Sequence, residues 1–171
     1  MKRIRYGIAA LTLVCSIGAV ALLVRRAAAE HFDIALKAQV DRQLAEASTD
    51  TTPPLGGVNP RPVLHMKATD TVHINWKLKS IFPHGSMKNV TIHFFVVREK
   101  DLGQKPCPDP AGPAGILNNS FTMDFSPTGV SSGAVTMTLP GPGNYLVRVQ
   151  SEDTHEEHDH EHFSALDIAV P

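Results

Sequence analysis

From Val63 to Val170, apolar residues return at every second position, in short runs cut by proline and glycine. Such a pattern suits strands and little else, because alternate side chains of a strand face opposite ways. Val72, Ile74, Trp76 and Leu78 alternate with His73, Asn75, Lys77 and Lys79, as in a half-buried strand. Val90, Ile92, Phe94 and Val96 form a second run, and Phe95 and Val97 make its other face apolar too, which places it centrally in a sheet. Weaker alternation follows at Phe121, Met123 and Phe125, then at Val135, Met137 and Leu139. Tyr145, Val147 and Val149 carry the next run, Leu166, Ile168 and Val170 the last, and Val63 to Ala68 supply a first. Seven short strands with no segment of helical period predict a mainly β domain, an antiparallel two-sheet sandwich over residues 63–171.

The N-terminus obeys a different rule. Lys2, Arg3 and Arg5 precede an uncharged stretch from Tyr6 to Val24, closed by Arg25 and Arg26. As a helix at about 1.5 Å per residue it would span roughly 28 Å, close to the hydrocarbon thickness of a bilayer. Ala27-Ala28-Ala29 offers a small-residue cleavage site, so a cleaved leader and a retained anchor both fit. The length of the apolar run and the Arg25-Arg26 pair favour an anchor over residues 1–26, with 6–24 in the lipid bilayer. Positive charge is denser before the stretch than after it, which predicts a single-pass chain whose C-terminal part is periplasmic or extracellular. Cys15 follows Val14, not the small residue that a lipid-attachment cysteine needs, and reads as a lipid-facing side chain.

Residues 27–47 contain neither proline nor glycine, and Phe32, Leu36, Val40 and Leu44 recur every fourth position. That spacing predicts an amphipathic juxtamembrane helix, braced by Asp33–Lys37, Lys37–Asp41 and Arg42–Glu46 at i,i+4. Its stripe of four apolar residues is the expected contact for a protein partner. Residues 48–62 hold four prolines and two glycines and read as a linker.

Leu139 to Val149, LPGPGNYLVRV, resembles the E–F corner of immunoglobulin and fibronectin type III modules. In those sandwiches a tyrosine follows a Pro/Gly corner, and its hydroxyl bonds back to the backbone. The resemblance implies that Tyr145 plays this structural part and that the fold is immunoglobulin-like. Trp76 lies on the second expected strand, not the third, and no cysteine pair bridges the sheets, so an antibody-type domain is excluded.

His155-Glu-Glu-His158-Asp-His160-Glu-His162 is the chemically unusual stretch. No lysine or arginine follows Arg148, whereas seven carboxylates do. Neutral imidazoles among uncompensated carboxylates suit first-row metals, so His155, His158, His160 and His162 are candidate ligands for Zn or Cu. In immunoglobulin strand order this is the F–G loop, and His84, in the B–C loop, is expected at the same end. A solvated acidic loop and a pH-responsive contact are the competing readings. His65 beside Met66 is one His-Met pair only, and Cys107 stands alone among prolines.

Net charge is −1, with 42% apolar and 19% charged residues, which excludes the basic surface that nucleic-acid binding needs. No nucleophile elbow, phosphate loop, H-E-x-x-H or CxxC motif occurs, so no enzyme is expected. The sequence therefore predicts a membrane-displayed binding module with a possible Zn or Cu ligand. An assembly subunit of a membrane complex, held by the Phe32–Leu44 stripe, is the alternative.

Overall fold

The alternating segments become strands of two sheets. The structure is a computed structural model describing residues 31–49, 61–82, 85–101, 116–155 and 158–171, with 101, 153–155 and 158–161 described by backbone alone. The strands are β1 (Phe32–Val40), β2 (Gln43–Ala47), β3 (Val63–His65), β4 (Thr71–Ser80) and β5 (Met87–Arg98). After a 3-10 turn at Glu99–Asp101 come β6 (Leu117–Phe125), β7 (Val130–Thr138), β8 (Gly143–His155) and β9 (His158–Val170). One sheet has the order β2-β1-β4-β7 and the other β3-β9-β8-β5-β6. Neighbours are antiparallel throughout except β3, which runs parallel to β9. All these strands belong to the unit His31–Pro171.

One core joins residues of both sheets. Ile34 and Leu36 of β1, Ile74 and Leu78 of β4, Ile92 of β5, Val147 of β8, and Leu166 and Ile168 of β9 are all fully buried in it. Each such side chain contributes about 1.5–3 kcal/mol relative to exposure. As its two apolar faces predict, β5 lies inside its sheet, between β8 and β6. Phe95 and Val97 join Leu146 and Ala165 in a separate apolar cluster.

The expected helix over residues 27–47 is not formed at 32–47, which is the β1–β2 hairpin. Positions four apart on a helix are also positions four apart on a strand. Ile34 and Ala38 fill the gaps in the stripe, and β1 buries Phe32, Ile34, Leu36, Ala38 and Val40 in turn. Leu44, the fourth residue of the supposed stripe, is 53% exposed, so the four do not make one free face. Asp41 turns the hairpin at φ 50°, a left-handed conformation that aspartate tolerates. The two-sheet domain therefore includes β1 from Phe32, upstream of the expected residue 63.

Of the expected linker, 50–60 lie outside the described residues. Arg61 and Pro62 are held: the Pro62 carbonyl accepts from the Asp167 amide, and Arg61 pairs with Asp167 at 2.7 Å and with Glu99. The expected anchor, residues 1–26, and Cys107 also lie outside. Among the described residues, no helix is long and apolar enough to cross a membrane.

Tyr145 is fully buried at the start of β8. Its hydroxyl donates to the Gly141 carbonyl at 2.5 Å and accepts from Arg98 Nη2 at 2.8 Å. Trp76 is buried on β4 with its indole pressed against Gly133 of β7.

Candidate functional site

The histidine–acid stretch is mostly strand. The β8–β9 ladder continues past the apolar core, pairing Ser151 with His162, Glu152 with Glu161, Asp153 with His160, Thr154 with Asp159 and His155 with His158. The expected F–G loop is thereby reduced to residues 156–157, which lie outside the described residues, as does His84. Apolar alternation could not reveal this extension, because polar and charged residues fill both faces of it. The backbone brings His155 beside His158 and puts His160 two positions from His162.

His162 is where the hairpin enters the core. Its side chain is 5% exposed and lies against two residues at the start of the first sheet, His31 and Phe32. His31, immediately before β1, is 3% exposed. Its ring centroid is 5.6 Å from that of His162, and its backbone N–H donates to His162 Nε2 at 3.3 Å. Phe82, in the β4–β5 connection, stacks edge-on to His31 at 4.8 Å. The described part of that connection thus reaches His31, which in turn meets His162. His31 was missed by the sequence argument, because it precedes the alternation and lacks a neighbouring histidine.

The inner face turns polar here. Ser80 ends β4 as the register partner of Phe32, Ser151 faces His162 across the ladder, and Ser164 is the next same-face position on β9. All three are buried, and their hydroxyls have no hydrogen-bond partner among the described residues. A buried hydroxyl left unsatisfied costs about 1–3 kcal/mol, so such a layer suits a bound polar group.

Other histidines serve elsewhere. His93 is buried on β5 with Nε2 3.3 Å from Glu152, without hydrogen-bond alignment. His73 is exposed and meets the Thr136 hydroxyl at 2.9 Å. His65 is exposed while Met66 is buried, so the two do not converge on one ion. Among the described residues, no group of three or more His, Cys, Asp or Glu side chains is assembled as a metal site. A cleft of about 360 Å³ lies beside β6 and β7 and is lined by Trp76, Phe94, Phe121 and Gly133.

No protein-family model matches the chain, and no curated protein is significantly similar to it.

Proposed function

We propose that the chain displays an immunoglobulin-like sandwich outside the cytoplasm on a single membrane anchor, and binds a divalent metal, Zn or Cu, with the far end of the β8–β9 hairpin. The observation that carries the metal reading is the ladder itself. It converts a His-rich sequence into two paired strands and sets histidines of both at one end, with the buried His162 opposite Ser151 on the inner face. Imidazole with surrounding carboxylates is the donor set that first-row metals prefer.

The immunoglobulin-like reading is supported by two observations. With β1, β4 and β7 as A, B and E, and β5, β8 and β9 as C, F and G, the strands divide between the sheets as in such modules. The Tyr145 hydroxyl also bonds back across the Pro/Gly corner. The anchor reading rests on the uncharged stretch from Tyr6 to Val24 and its flanking charge.

The function is tested on the full chain in detergent, without an affinity tag of histidines. A Zn²⁺ or Cu²⁺ titration should show a stoichiometric site that disappears when His84, His155, His158, His160 and His162 are all replaced by alanine. Unchanged binding in that variant contradicts the proposal. A reporter active only outside the cytoplasm, fused after Pro171, tests orientation and should be active.

A further inference from the structure

We propose that the side of the domain between β6 and β7 takes an extended segment of a partner protein as an added strand beside β7. That segment carries apolar side chains at alternate positions. The inference is independent of the metal reading.

The first support is the edge itself. β7 pairs with β4 over nine consecutive residues, Val130 to Thr138, without a register shift, and its other side pairs with no described strand. Edge strands are ordinarily kept from further pairing by shortness, charge, proline or a bulge. The other three edges follow that rule. β2 has five residues and β3 three, while β6 carries Asp124 and its pairing with β5 shifts register between Met87 and Val90. β7 contains no charged residue and no proline. Its free backbone edge is a template for one more strand.

The second support is the cleft beside that edge. Asn119 and Phe121 of β6 are the register partners of Phe94 and Ile92, which are buried in the core, so both stand on the core-facing side of their sheet. Phe121 is nevertheless 39% exposed, and Asn119 is exposed as well. Across the cleft, Gly133 and Val135 of β7 are only half-buried, although they are the partners of Trp76 and Ile74. The Trp76 ring lies 6.1 Å from that of Phe121, and both line the cleft of about 360 Å³. A strand added beside β7 turns every second side chain towards this space. Every residue lining it is uncharged, so apolar side chains fit there and a charged one would be desolvated without a partner. Backbone bonds to β7 would supply affinity and the cleft would select the alternate side chains. Neither 50–60 nor 102–115 has apolar residues alternating over the length of a strand, which assigns the segment to another protein.

The test uses the full chain in phospholipid bicelles and an end-blocked peptide with the sequence of Phe32–Val40. That peptide alternates apolar with polar residues over nine positions and has neither net charge nor tryptophan. Trp76 is the one tryptophan of the chain, so its emission reads the cleft directly. By anisotropy of a fluorescein-labelled copy, the peptide should bind saturably, and the unlabelled peptide should shield Trp76 from acrylamide. Phe121→Lys places a charge on the cleft wall and should weaken binding at least about 10-fold. Leu44→Lys, at an exposed position of the β2 edge, should leave binding unchanged. A peptide of the same composition with its apolar residues grouped together should not bind. Absence of saturable binding, equal loss in Leu44→Lys, or binding indifferent to Phe121→Lys overturns the inference. So does a dimer of the chain that excludes the peptide, since a second copy would then occupy the edge. Should Phe121→Lys fail to fold by circular dichroism, the wild-type chain decides: Trp76 quenching unchanged at saturating peptide overturns the inference.

Discussion

Gly133 shows how closely single residues are fitted in this molecule. A Cβ there would come within 2.6 Å of the buried Trp76 indole, so the ring would have to shift. Gly133→Ala should therefore cost about 1–3 kcal/mol in urea unfolding, the range for overpacking. Tyr145→Phe removes one hydroxyl that serves two partners, Gly141 and Arg98. A loss of about 0.5–1.5 kcal/mol is expected by the same measurement. Arg61 holds two carboxylates, Asp167 and Glu99, and Arg61→Met should destabilise by about 1–3 kcal/mol because it leaves them facing each other partly buried. Burial pushes the Asp167 carboxyl above its ordinary range, against the opposing pull of the Arg61 bonds. A raised acid favours the folded state at pH below the ordinary carboxylate value and loses that advantage as pH rises through the raised one. Relative to Asp167→Asn, the wild-type chain should gain stability as pH is lowered from neutral towards about 4, followed by urea unfolding at each pH. A difference that does not change with pH would contradict this.

At the scale of elements, β1 carries the sharpest lesson. Period four and period two agree at Phe32, Leu36 and Val40, and the small Ala38 hides the intermediate position. The alanine-rich, proline-free sequence then tips local propensity towards helix, and pairing with β4 and β2 overrides it. The consequence is testable. Leu36→Asp should unfold the domain, since an unpaired carboxylate would enter a fully buried site, whereas Leu44→Asp at an exposed position of β2 should change the melting temperature little. An exposed helical stripe would make both substitutions equally mild. Strand β4 and the inner part of β8 were legible from apolar alternation, and β5 from an apolar run on both faces. The outer part of β8–β9 was not, because Glu152 to Glu161 contain no apolar residue to mark a face.

Across the whole molecule, the sequence revealed that the chain ends in a two-sheet β domain and where its unusual chemistry lies. It could not reveal that the first sheet begins at Phe32, and so could not bring His31 to His162. That meeting depends on β1 lying in one sheet and β9 in the other, a relation between residues 131 positions apart. One end of the domain thereby gathers a histidine hairpin, a buried histidine pair and a layer of serine hydroxyls. The Tyr145 corner lies at the opposite end. The most direct measurement is the stoichiometry of Cu²⁺ or Zn²⁺ bound by the untagged full chain, read from a calorimetric titration. A single saturable site of one ion per chain is the expected result. Several weak, independent equivalents, as an exposed acidic histidine tract would give, would contradict the proposal that this end of the sandwich is a metal site.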